Sequence, residues 1–219
     1  MKLSTIAKLA LYSYDHSTDD IIKLGCTNVN LIEKDSERVF VCRYHKSLII
    51  AFKGTENRQD IIEDLKVKSK YSEDKRIGKV HSGFNQAYEQ VEDQIDVFID
   101  DIRENYDINT IITIGHSKGG AMADLAGKEY AFRYALPVKT YTFGAARVFK
   151  QGYQKPPANQ IHFRYVNGKD PVPRLPRKYM GYKHSAKEIH LKGGWYSFLW
   201  FGNWRDHSMK KYLKKLKIF

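Results

Sequence analysis

Apolar residues recur at spacings of three and four from Phe84 to Tyr106, through Ala87, Tyr88, Val91, Ile95, Phe98, Ile99 and Ile102, which predicts one long helix with a buried stripe. Elsewhere the apolar positions gather in short runs. Val39 to Tyr44 and Leu48 to Phe52 flank a short polar link and predict a hairpin. Thr110 to Ile114, Val138 to Phe143 and Gln160 to Val166 are apolar and β-branched, as parallel strands covered on both faces require. Leu3 to Leu11 predicts a first helix, Ala121 to Tyr130 a helix directly after the third strand, Ala186 to Leu191 an alternating strand, and the end of the chain a helix running to about Leu216. Antiparallel strands followed by βα units imply an α/β fold, with a mostly parallel central sheet flanked by helices. The 219 residues, 42% of them hydrophobic, suffice for one core. No Pro- or Ser-rich linker and no repeat divides them, so residues 1–219 read as one domain.

Chemistry enters between the predicted strand Thr110 to Ile114 and the helix Ala121 to Tyr130, at Gly115-His116-Ser117-Lys118-Gly119-Gly120. Glycines either side of a serine at a strand-to-helix junction allow a turn tight enough to lift the hydroxyl out of the sheet, the geometry of a nucleophile elbow. A glycine-rich turn with a serine capping a helix has the same short pattern, and the partners separate the two. A serine needs a histidine to take its proton and a carboxylate to orient that histidine. Asp170 lies in the turn-rich Asn167 to Pro173, directly past the strand Gln160 to Val166 and hence at a strand's carboxyl end. An aspartate bonding its own turn before a proline is the alternative there. Chain order leaves His184, His190 and His207 downstream. His207 is preferred because it precedes the last helix, on a loop that can return over the sheet; His190 falls within a predicted strand, and His184 is held in reserve.

The ordered blocks Lys53-Gly54-Thr55, Val80 to Phe84, Gly115 to Gly120, Thr142-Phe143-Gly144, Asn167 to Pro173 and Asp206-His207-Ser208 together resemble the class 3, fungal-lipase-like branch of the α/β-hydrolases, over nearly the whole chain. The resemblance implies a serine esterase or lipase with Ser117, Asp170 and His207 as its triad. It also implies an oxyanion hole from Thr55, by backbone and hydroxyl, and from the backbone N–H of Lys118. Thr55 has a case of its own, since Leu48 to Phe52 is an apolar strand and Gly54-Thr55 is the strand-to-helix loop expected to donate an N–H; a plain N-cap for the helix that follows is compatible with it. Many members of the family carry leucine where this chain has Lys118, a change the chemistry tolerates because the hole uses only the backbone there. His81 and His116, which border motifs, are expected to support the site by hydrogen bonding. Neither a cofactor nor a metal is implied, the histidines lacking ligand spacing.

Asn57 to Leu65 aligns with the lid helix of the lipases. Its apolar face is short, Ile61, Ile62 and Leu65 among charges such as Asp60, so a moving lid and a fixed surface helix are both compatible with it. Trp195, Phe198, Trp200, Phe201 and Trp204 crowd a glycine-bracketed stretch just before His207, where they would pack in the core, line an acyl pocket or meet a membrane.

Charge is divided unevenly. Residues 1–144 hold 20 Lys plus Arg against 22 Asp plus Glu, and residues 145–219 hold 17 against 3, for a net charge of +12. A basic, aromatic second half suits peripheral contact with an anionic membrane surface. The clustered lysines near the end also suit a helix C-terminus by its dipole alone. No recognition motif for nucleic acid accompanies the charge. Lys8 interrupts the apolar start, no small-residue cleavage site follows, and Cys26 and Cys42 read as free buried thiols, so a cytoplasmic location is weakly preferred. The function expected is hydrolysis of lipid esters, as a triacylglycerol lipase or a phospholipase A1-like enzyme, through an acyl-enzyme. The alternatives are an esterase for short soluble esters, an acyltransferase, and a catalytically silent lipid-surface binding protein.

Overall fold

The computed structural model describes residues 1–55, 57–65, 69–72, 75–155, 157–191 and 204–218. The chain opens with α1 (Leu3–Tyr12) and a short α2 (Thr18–Lys23) closed by a capping box between Ser17 and Asp20. Three antiparallel strands follow: β1 (Thr27–Lys34), β2 (Glu37–Tyr44) and β3 (Ser47–Phe52). The predicted hairpin is β2 with β3. β1 escaped the hydrophobic pattern because it is a polar edge strand, with Ile32 its one buried side chain. After α3 (Arg58–Asp64) come two short strands, β4 (Ser69–Tyr71) and β5 (Lys79–His81), and then α4 (Ser82–Asn105). α4 is the long predicted helix. It buries Phe84, Ala87, Tyr88, Val91, Ile95, Ile99 and Ile102, while Val97 on its other side is 72% exposed.

The second half repeats strand and helix: β6 (Thr110–His116), α5 (Ser117–Arg133), β7 (Val138–Phe143), β8 (Phe149–Lys150), β9 (Gln160–Asn167), β10 (Tyr182–Lys183), β11 (Glu188–Leu191) and α6 (Met209–Lys215). Seven strands form the central sheet in the order β1-β2-β3-β6-β7-β9-β11, parallel from β3 onward. Side chains alternate across it: Leu48, Ile50 and Phe52 of β3 join the core beneath α4 and α5, whereas Ile49 and Ala51 join the one beneath α1 and α6. A small antiparallel sheet, β10-β8-β5-β4, was not legible because its strands are two or three residues long. No helix among the described residues is long and apolar enough to cross a membrane.

The carboxyl ends of β3, β6, β7 and β9 lie side by side. Phe52 pairs with Gly115, His116 with Phe143, and Phe143 with Tyr165. The loops that carry Thr55, Ser117, Gly144 and Asp170 therefore leave the sheet at one edge, where an α/β sheet gathers its ligands.

Candidate active site

β6 runs straight into α5, and Ser117 at the junction has a φ of 58°, a left-handed conformation that a non-glycine residue adopts only when the surrounding structure enforces it. This is the sharp turn expected of the elbow. His207 Nε2 lies 2.7 Å from Ser117 Oγ, and His207 Nδ1 lies 2.9 and 3.0 Å from the two oxygens of Asp170. With Nδ1–H donating to the carboxylate, Nε2 is left to accept the serine proton. Ser117 and Asp170 are fully buried and His207 is 6% exposed. The structure thus brings together all three residues picked from chain order.

Asp170 is held as well as it is placed. Val172 N–H donates to Oδ1 at 3.0 Å and the Tyr212 hydroxyl to Oδ2 at 2.6 Å. Burial, and then the neighbouring carboxylate, push the Tyr212 phenol well above its usual range, so it stays a donor. Gly144, at φ 60°, makes the room: a Cβ there would come within 2.7 Å of Asp170 Oδ2 and 3.1 Å of His207 Nδ1. His116 steadies the base from behind. Burial, then the adjacent His207, hold it well below the ordinary histidine range, so it is neutral. Its Nε2–H donates to the carbonyl of His207 (2.6 Å), which leaves Nδ1 to accept from Tyr14 Oη at 2.5 Å. His81, by contrast, caps α4 by accepting from Phe84 N–H at 3.4 Å, and burial pushes it down to about 4. Among the described residues its hydrogen bond is to the start of α4 and not to Ser117, His207 or Asp170.

The other histidines are elsewhere engaged. His184 Nε2–H donates to the Pro173 carbonyl at 2.7 Å, and exposed His190 pairs with Glu188 at 2.7 Å. Tyr14, Tyr212 and Glu37 border the site and were not singled out by the sequence. Tyr14 meets His116 from 102 positions away, a distance that no local pattern bridges.

Thr55 follows β3 and lines a cleft of about 440 Å³ with Tyr14, Ile61, His116, Trp204 and His207. It also borders a polar hollow shared with Glu37, Lys53 and Lys118. Gly54 permits this approach, because a Cβ there would overlap the Tyr14 hydroxyl and the His116 carbonyl. Lys118 does more than lend a backbone. Its Nζ pairs with Glu37 Oε1 at 2.5 Å, with the two side chains 13% and 4% exposed, which ties the first turn of α5 to the start of β2.

α3 covers one side of the cleft. Ile61 is 5% exposed and enters the core, Leu65 packs partly against it, and Asp60 and Ile62 face solvent. Of the aromatic stretch, Trp204 packs partly against the core with its ring edge-on to His207 at 6.5 Å; Trp195, Phe198, Trp200 and Phe201 lie outside the described residues.

Residues 49–180, more than half of the chain, match the family model for class 3 lipases. A secreted mono- and diacylglycerol lipase of Fusarium solani is 30% identical over 151 residues, 68% of this chain and 45% of that protein. Another from Malassezia globosa is 26% identical over 210 residues, 88% of this chain and 69% of that one. The chain thus spans about half the length of several of the curated relatives it matches. Among solved structures, a triacylglycerol lipase described as having a serine protease triad superimposes with a TM-score of 0.73 at 23% identity, covering 94% of this chain and 91% of that one. A lipase from Rhizopus microsporus var. chinensis gives 0.67 at 25% identity, covering 88% and 76%. These neighbours have the α/β-hydrolase fold, as this chain does.

One expectation is corrected. The preference for a cytoplasmic location conflicts with relatives that are named as secreted lipases. It rested on Lys8 interrupting the apolar start, on the lack of a small-residue cleavage site there, and on the two cysteines; Cys26 and Cys42 are free and buried. A buried thiol packs as a small hydrophobe and does not report the redox poise outside the protein. Elbow, partners, sheet order and matched residues agree, and the chain belongs to the class 3 lipase family.

Proposed function

We propose that this chain hydrolyses carboxylic esters of lipids through an acyl-enzyme on Ser117. The observation that carries the reading is the unbroken line from Ser117 Oγ through His207 to Asp170, with hydrogen-bond distances of 2.7 and 2.9 Å. Ser117 Oγ attacks the ester carbonyl carbon as His207 Nε2 takes its proton. Asp170 holds the imidazole in the required tautomer and stabilises the imidazolium that forms. The oxyanion is met by Thr55 and by the backbone N–H of Lys118, each such donor being worth about 10²- to 10³-fold in turnover. His207 then returns the proton to the departing alcohol. A water molecule, deprotonated by the same imidazole, releases the acid and restores Ser117.

Lipid rather than small soluble esters are favoured by the relatives, which are named for acylglycerols, and by the apolar flank of the cleft: Leu11, Ile61, Trp204 and Met209. α3 serves as the lid in this reading, with Ile61 facing the cleft and Ile62 outward. The basic residues 145–219 supply a peripheral contact with an anionic membrane surface. The test is hydrolysis of nitrophenyl esters from acetyl to palmitoyl by the wild type and Ser117→Ala, with and without anionic phospholipid vesicles. Activity that rises with chain length or vesicles and falls on the order of 10⁶-fold in Ser117→Ala is expected. Activity confined to short esters would remove the lipid part of the proposal, and equal activity in both proteins would remove the nucleophile.

A further inference from the structure

The basic half of the chain folds a second pocket, of about 490 Å³, between the end of β9, the turn through Pro173 and Arg174, and β10 and β11. It shares no lining residue with the cleft that Thr55 and His207 line. Its walls carry Arg147, Arg164, Arg174, Lys178 and Lys183 against a single carboxylate, Glu188. That carboxylate is already engaged, with Arg164 Nη2 at 3.4 Å and with His190 Nδ1 at 2.7 Å.

Two of the cations are held out of water, Arg147 at 7% and Arg164 at 6% exposure. Arg147 Nη1 donates to the carbonyls of Arg174 and Pro176, whereas its buried Nε has no hydrogen-bond partner among the described residues. Burial, and then repulsion from Arg164 and Arg174, hold this guanidinium below the ordinary arginine value. Buried charges are normally paired or bound to a counter-ion; Glu188 and the buried Asp124 both act on Arg164, and neither offsets Arg147. His184 adds a different feature. Its Nε2–H is spent on the Pro173 carbonyl, and burial followed by Arg164 pushes its pKa down to about 3, so Nδ1 is a buried acceptor, also without a partner among the described residues.

The pocket therefore presents many cationic donors beside one neutral acceptor. A carboxylate or a phosphodiester only accepts, but the monoanion of a phosphomonoester, populated at and below its second pKa of about 6, carries oxyanions and an O–H together. We infer that this pocket is a non-catalytic binding site for a phosphomonoester group, with the guanidiniums and lysines holding its oxyanions and His184 Nδ1 accepting its proton. Free phosphate and the head group of phosphatidic acid share that chemistry.

Neither readout of the test needs ester turnover, so it stands apart from the proposed hydrolysis. The full chain is titrated with inorganic phosphate by calorimetry and, separately, sedimented with phosphatidylcholine vesicles that contain phosphatidic acid or phosphatidylglycerol at matched surface potential. One phosphate per chain is expected. Its affinity should fall by about tenfold or more in Arg174→Ser/Lys178→Ser, whose side chains are exposed, and little in Lys214→Ser/Lys215→Ser, which removes the same charge from α6. Thermal unfolding without phosphate checks that both variants fold. A preference for phosphatidic acid vesicles that vanishes in the first variant supports the site and names a lipid head group as the source; phosphate binding without that preference supports it and names soluble phosphate. Absence of both a saturable isotherm and a vesicle preference, or equal weakening in the two variants, overturns the inference and leaves a patch of surface charge.

Discussion

The cleft and the cationic pocket lie in one small protein and treat polar groups in opposite ways. In the cleft each triad member has a protein partner: Ser117 meets His207, His207 meets Asp170, and Asp170 takes two further donors from Val172 and Tyr212. In the pocket guanidiniums crowd together, and Arg147 Nε and His184 Nδ1 have no partner among the described residues. Satisfied groups cannot relax far, so the cleft is preorganised for the proposed hydrolysis, in which the charge arises on a neutral ester. Unsatisfied groups wait for a ligand that brings its own charge. A histidine stands in both places, His207 with partners at both ring nitrogens and His184 with one, and the count of internal partners tells them apart.

The sharpest way to break the cleft is to fill the space that Gly144 leaves. Gly144→Ala places a methyl against Asp170 and His207 at a φ of 60°, so turnover of a nitrophenyl ester is expected to fall by about 10³-fold or more, with a stability loss of about 1 kcal/mol or more in a denaturant titration. Unchanged turnover would mean that the acid and base are looser than described. Next in size is the buried pair behind the proposed oxyanion hole. Lys118→Leu leaves Glu37 buried and unpaired and is expected to cost about 3 kcal/mol in chemical unfolding, while Lys118→Leu/Glu37→Leu recovers most of it. Additive losses in the double variant would show that the pair is not what links α5 to β2.

Tyr212→Phe removes one donor from Asp170 without touching His207. A hydrogen bond to a charged group is worth about 1.5–3 kcal/mol, so kcat is expected to drop about tenfold or more with little change in KM. A further effect is on stability against pH. Glu129, buried beneath Ser72, has its carboxyl pushed up to about 8, by burial first and then by Glu92. Its folded pKa exceeds the ordinary 4.5, so the protonated acid is the form the fold favours. The stability it contributes is whole below pH 4.5 and fades as pH rises to about 8. Thermal midpoints of the wild type should therefore decline across that window relative to Glu129→Gln; parallel curves would show that the carboxyl titrates normally.

Much of this architecture was legible from residue order. The central parallel strands β3 and β6 are apolar runs because both their faces are covered, and Val138–Phe143 was bounded as predicted. Ser117 was readable because strand, glycines and helix are contiguous, and Asp170 and His207 because chain order restricts the partners. What stayed hidden came together only in space. Tyr14 from α1's far end and Tyr212 from α6 close on the same histidines and carboxylate, and no spacing links them. Lys118 was read as a backbone donor alone, since nothing local announces Glu37 as its partner. The excess of positive charge after residue 144 was plain in the sequence. Its gathering of Arg147, Arg164 and Arg174 around one concavity required the turn between β9 and β10, where apolar periodicity is silent.

The most direct test of the central claim is the mass of the intact protein after exposure to an alkyl fluorophosphonate. A hydroxyl activated by His207 and Asp170 should take one adduct per chain, mapped to Ser117, and none should form in Ser117→Ala or His207→Ala. A folded wild-type protein that forms no adduct, or takes it at another serine, would contradict the account.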